Sequence, residues 1–136
     1  MEKQKYTAIV LAAGSGKRMN SKVHKQYLII QDRPVLYYSL KAFEDSAVDE
    51  IVLVVGKGEE KFCRKEIVDK YGISKVKAIV EGGKERYHSV FEGLKQTSDA
   101  DYVLIHDGAR PFVNQDIIRR CMQEVQKYQA CVLVCQ

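Results

Sequence analysis

The run "IVLVV" at residues 51–55 constrains the fold more than any other part of the chain. Five consecutive apolar residues, four of them β-branched, do not suit a sheet with one wet face, where apolar and polar residues would alternate. They require a strand covered on both sides, with helices above and below the sheet. Other runs repeat the theme: "YTAIVLA" (6–12), "VKAIV" (76–80), "YVLI" (102–105) and "ACVLV" (130–134) read as strands. The segments between them carry helical spacing. Pro34 suits the first position of a helix bearing Leu36, Leu40 and Phe43. Residues 59–71 predict a charged amphipathic helix that stops before Gly72, and "RYHSVFEGLKQ" (86–96) a short one. Asn114 is placed to cap a helix with Ile117, Cys121 and Val125 on one stripe. Strand and helix in alternation predict an α/β fold, a three-layer sandwich with a mostly parallel sheet, in a single domain over residues 1–136.

Composition narrows the function classes. The apolar share is 46% and the charged share 29%, ordinary for a globular protein with a core. A net charge of +4 suits an anionic ligand but is too small to argue for nucleic acid. With no Trp and no aromatic ladder, a single-strand binding platform has little support. The apolar run Ala8–Ala13 is too short for a signal peptide, and no stretch is long enough to span a bilayer, so a cytoplasmic protein is expected. The cysteines form no C-x-x-C and have no matching histidine spacing, which argues against zinc. Cys121, Cys131 and Cys135 lie in apolar patterns and are expected as buried free thiols.

Parallel α/β sheets bind ligands at the carboxyl ends of their strands, so the residues after each strand carry the functional information. After the first comes "GSGKRM". A Walker A loop would need glycine where Leu11 stands and Ser or Thr where Arg18 stands; a dinucleotide fingerprint would need glycine in place of Met19. Neither pattern is met. Gly14 and Gly16 nevertheless leave backbone N–H groups uncovered, and Arg18 adds a forked donor matched to phosphate. An ordinary glycine-rich turn with solvated cations fits this loop equally well. After the third strand comes "EGGKERYHSV", with the pair Gly82–Gly83 and with Arg86 and Ser89 on one helical face. After the fourth comes "HDGARPF", where Asp107, Gly108 and Arg110 suit metal–phosphate chemistry or, alternatively, an ion pair bracing a turn. Glycine with a cation or an acid at three junctions points to a nucleotide or phosphosugar site across the top of the sheet. His88 and His106 come from separate junctions and are not read as a metal pair; His106 is expected to hydrogen-bond to backbone. Tyr37, Tyr38 and Phe43 read as packing residues on a helix.

Taken together and in order, "LAAGSGKRM", "KQYL", "GGKERYHSV" and "HDGARPF" resemble the 2-C-methyl-D-erythritol 4-phosphate cytidylyltransferases of the non-mevalonate isoprenoid pathway. The resemblance runs from about Tyr6 to the end. It implies a Rossmann-like fold of the nucleotide-diphosphosugar transferase type. It also implies transfer of CMP from CTP to a sugar-alcohol phosphate with Mg²⁺ or another divalent cation, no nucleic acid or membrane partner, and a homodimer at full length. By that resemblance the loop from Ala12 through Ala13, Gly14 and Gly16 to Arg18 wraps the CTP phosphates and ribose. Ala13, Gly82, Gly83 and Ser89 read the base. Asp107, with Gly108 beside it, lies near the ribose and the metal. Arg18 and Lys25 flank the α-phosphate as catalytic cations, Arg110 faces the incoming sugar phosphate, and Arg86 supports from behind. His24 stands where the family carries proline. The family continues past the fifth strand, so the domain is expected to be incomplete at its C-terminus. Two alternatives are a ribitol-5-phosphate cytidylyltransferase, against which Ala13 and Ala109 speak, and a CTP-binding module without activity.

Overall fold

The structure, a computed structural model, describes residues 4–13, 29–108, 113–128 and 130–133. Strand β1 (Tyr6–Ala12) is buried along its whole length and lies at the centre of a five-stranded sheet. The other strands are β4 (Glu50–Val55), β5 (Val76–Glu81), β6 (Tyr102–Asp107) and β7 (Ala130–Leu133). The order is β5-β4-β1-β6-β7 and every pair is parallel. "IVLVV" thus lies in the sheet interior, between β5 and β1, and all five of its residues are buried.

Helices cover both faces. Helices α1 (Val35–Glu44) and α4 (Gln115–Tyr128) and the segment α2 (Glu60–Cys63) join one core with Tyr6, Ala8, Val10 and Ala12 of β1. The residues between these, Ile9 and Leu11, face the other way and pack with Val52, Val54 and Val90 of α3 (Arg86–Leu94). Period-two alternation along β1 therefore feeds two cores at once. Gly93 brings α3 close to the sheet: a Cβ there would lie 2.8 Å from Ile9 Cγ2 and 3.1 Å from Val54 Cγ2. This is the expected three-layer arrangement.

Four local readings change. Pro34 is the cap of α1 rather than its first residue, because it pairs with Ile29 in a small hairpin of β2 (Ile29–Ile30) and β3 (Arg33–Pro34) and is held extended (φ −61°, ψ 148°). The turn of that hairpin uses left-handed Gln31 and Asp32. The helix expected over 59–71 is α-helical only to Cys63 and continues as a π-helical turn over Arg64–Asp69, which buries the adjacent Ile67 and Val68 together before the left-handed Gly72 ends it. On α4, Ile118 rather than Ile117 completes the buried stripe with Cys121 and Val125, while the Asn114 cap stands, its Oδ1 accepting from the Ile117 N–H at 2.9 Å. Cys121 is disulfide-bonded rather than a free thiol, whereas Cys63 is a buried free thiol.

Candidate functional site

The chain winds outward from β1 to β4 and β5, then returns through α3 to β6 on the other side of β1. That reversal makes the carboxyl end of β1 the switch point of the sheet, where open α/β sheets leave a crevice. Leu11 of β1 pairs with Asp107 of β6, and the Gly108 N–H donates to the Leu11 carbonyl at 2.7 Å. On the far side of β4, the Gly82 N–H donates to the Val55 carbonyl, also at 2.7 Å. The ends of β1, β5 and β6 are thus gathered at one edge of the sheet.

A cleft of about 150 Å³ opens there, lined by Leu11, Ala13, Gly83, Lys84, Glu85, Arg86, Ser89 and Asp107. Strand alternation explains which residues reach it. Leu11 and Asp107 project on the α3 side of the sheet, whereas Ala12 turns its methyl into the opposite core. His106 also faces away. It is buried, its ring packs near Phe43, and its Nε2 lies 3.2 Å from Ser39 Oγ of α1, which anchors the end of β6 from beneath.

Five of the residues singled out in the sequence meet in this cleft: Ala13, Gly83, Arg86, Ser89 and Asp107. Ser89 is buried at its floor, and a Cβ on Gly82 would collide with Ser89 Oγ and lie 2.8 Å from the Ala13 methyl. The glycine pair therefore does more than expose backbone: it lets the β5–α3 loop press against its own helix. Gly82 and Gly108 donate their N–H groups within the sheet, so those two donors are already engaged. Arg86 Nη1 stands 3.8 Å from Asp107 Oδ2, which joins two junctions that looked separate in sequence. Lys84 and Glu85 also line the cleft. Sequence reasoning missed them because both look like solvated loop charges, and both are indeed exposed at the rim of the cleft. Gly14, Gly16, Arg18, His24, Lys25 and Arg110 lie outside the described residues.

Among the described residues no three His, Cys, Asp or Glu side chains gather into a metal site. Among the described residues that line the cleft, Asp107 and Glu85 carry carboxylates, and Asp107 is the one at a strand end. One carboxylate is what a magnesium ion carried largely by nucleotide phosphates would need, whereas it could not hold a resident structural ion.

The sequence model of the 2-C-methyl-D-erythritol 4-phosphate cytidylyltransferase (IspD) family matches residues 6–136. The chain belongs to this family. Among curated members it is 54% identical over 130 residues to the enzyme of Lachnoclostridium phytofermentans, covering 96% of this chain and 56% of that one. To the enzyme of Lachnospira eligens it is 54% identical over 127 residues, covering 93% and 56%. In structure it resembles the 4-diphosphocytidyl-2C-methyl-D-erythritol synthase of Anaerococcus prevotii, with a TM-score of 0.75 at 31% identity, covering 91% of this chain and 52% of that one. The chain spans about half the length of the curated cytidylyltransferases it matches. Among its described residues no helix is long and apolar enough to cross a membrane.

Proposed function

We propose that the whole protein transfers CMP from CTP to 2-C-methyl-D-erythritol 4-phosphate and releases pyrophosphate, and that this chain supplies its CTP-binding half. The observation that carries the reading is the convergence of Ala13, Gly83, Ser89 and Asp107 on one cleft at the switch point of a cytidylyltransferase-family sheet.

The residue types suit that chemistry. A phosphate oxygen of the acceptor attacks the α-phosphorus in line, and pyrophosphate departs. The attacking oxygen is already anionic, so no protein nucleophile or general base is required. The barrier is repulsion between anions and charge growing on the α-phosphoryl oxygens. Arg18 and Lys25, in the sequence that follows β1, are the cations proposed to hold and neutralise that charge. Asp107 would hold the divalent cation, Mg²⁺ in this reading, whose chemistry is charge neutralisation on the phosphates. Ala13 and the Gly82–Gly83 backbone would read the cytosine edge with Ser89, Gly82 through its carbonyl because its N–H is engaged. Ala12, Gly14 and Gly16 would wrap the phosphates and ribose, with Gly108 beside Asp107. Arg110 would meet the sugar phosphate, and Arg86 would balance Asp107 until ligand arrives. The reading also has the protein working in the cytoplasm as a homodimer.

Calorimetry of the whole protein with CTP, UTP and ATP in the presence of Mg²⁺ tests the base reading. A wrong base leaves a buried polar group unpaired, which costs roughly 1–3 kcal/mol, so CTP should bind about tenfold or more tighter. Equal affinity for the three nucleotides would overturn it.

A further inference from the structure

The loop that borders the cleft is held by a side chain the reaction does not use. Glu85 begins α3 in extended conformation (φ −105°, ψ 158°), and its backbone N–H donates to His88 Nδ1 at 3.4 Å. The His88 backbone N–H donates in return to the Glu85 carbonyl at 3.1 Å, so the two residues close the first turn on each other, with an imidazole in the place that Glu or Gln usually takes in a capping box. The same imidazole lies over Gly83: a Cβ there would collide with His88 Cβ and come within 2.9 Å of Cγ and 3.3 Å of Nδ1. Tyr87 flanks the ring, with centroids 4.2 Å apart. One side chain therefore fixes Gly83 by packing and Glu85 by hydrogen bond, and both residues line the cleft.

The geometry points to His88 as a positioning residue, whose imidazole holds the Gly83–Glu85 segment in the shape that receives the nucleotide base. The inference rests on the CTP reading above. Nδ1 is the acceptor for the Glu85 N–H, and the ring closes over Gly83 where no side chain could stand.

Two substitutions separate this role from mere packing. His88→Ala removes acceptor and ring together. His88→Asn returns an acceptor near the Nδ1 position. Amide hydrogen exchange at Glu85 in the full protein reads the cap, and calorimetry with CTP reads its consequence. The Glu85 amide should exchange faster in His88→Ala, with CTP binding about three- to tenfold weaker, the scale of one hydrogen bond. His88→Asn should restore both, staying within about twofold of the parent. Unchanged exchange in His88→Ala, or exchange and CTP binding in His88→Asn as impaired as in His88→Ala, would overturn the inference. A parent that binds no CTP would instead overturn the functional reading, and the exchange data would still decide the role of His88.

Discussion

Arg86 Nη1 lies 3.8 Å from Asp107 Oδ2, and this pair spans the cleft from the first turn of α3 to the last residue of β6. Both side chains keep substantial exposure, 55% and 34%, so the pair contributes little to folding, at most about 1 kcal/mol. Its effect is on the charge beside Asp107. Arg86→Ala should leave the unfolding midpoint nearly unchanged and tighten Mn²⁺ binding severalfold in the presence of CTP. Asp107→Asn should weaken it. Metal titration followed by electron paramagnetic resonance checks both, and a weaker Mn²⁺ affinity in Arg86→Ala would show that the arginine does not compete at Asp107.

Gly108 is where the site and the sheet meet. A Cβ there would lie 2.8 Å from Leu36 Cδ1, 3.0 Å from the Leu11 carbonyl oxygen and 3.2 Å from Val10 Cγ1. Leu36 could shift, but the Leu11 carbonyl belongs to the central strand and accepts the Gly108 N–H. Gly108→Ala should therefore cost about 1–3 kcal/mol, as overpacked core positions do. It should also weaken CTP binding, because it displaces the end of β6 that carries Asp107. Denaturant unfolding and nucleotide titration of the same variant should move together.

Much of this architecture is legible in the sequence because the hydrophobic pattern determines it. "IVLVV" demands helices on both faces, and it receives them. The expectation that residues after the strands meet at one edge also brings out Ala13, Gly83, Ser89 and Asp107, which line one cleft in the structure. What it hides depends on contacts between distant residues. Arg86 and Asp107 are 21 positions apart and become neighbours only through the register of β1 with β6 and the seat of α3 on Ile9 and Val54. The Gln31–Asp32 turn is concealed because glutamine rarely marks a left-handed position. The π-helical turn after Cys63 is invisible to a search for 3.6-residue spacing.

The opposite end of the sheet carries an alternating charge ring. Lys5 meets Glu50 at 3.0 Å and Asp99 closer still; Lys77 meets Glu50 at 3.2 Å and Asp99 at 3.4 Å. The hydrogen bond from Lys5 lowers the Asp99 carboxyl, and the bonds to Asp99 and Glu50 raise the Lys5 ammonium. A lowered carboxyl stabilises the fold above its unfolded pKa, near pH 4, and loses that effect as pH falls through the folded value. A raised ammonium stabilises below its unfolded pKa, near pH 10.4, and loses that effect as pH rises through the folded value. Asp99→Asn should thus lower the melting temperature by a constant, small amount across neutral pH, and the difference should vanish in acid once the pH has fallen through the folded value. High salt should shrink it. Scanning calorimetry in both conditions provides the check.

In the whole protein, Lys25→Ala and Arg18→Ala should lower kcat by about 10²–10³, the usual loss for one preorganised charge partner. CTP affinity should change far less, because charge on the α-phosphoryl oxygens grows only in the transition state. Lys25→Arg should rescue incompletely, since a planar fork does not occupy the position of an ammonium. Steady-state kinetics beside direct CTP binding distinguishes the cases. A loss of affinity in proportion to kcat/KM, with kcat intact, would make Lys25 a nucleotide clamp only.

The most direct measurement is pyrophosphate release by the whole protein with CTP and Mg²⁺, using 2-C-methyl-D-erythritol 4-phosphate and ribitol 5-phosphate as competing acceptors. The cleft at the end of β1, in a chain of this family, predicts turnover that depends on CTP and on the erythritol phosphate, with little from the ribitol phosphate and little when UTP or ATP replaces CTP. Faster turnover with ribitol 5-phosphate, or CTP binding without any transfer to either acceptor, would contradict it.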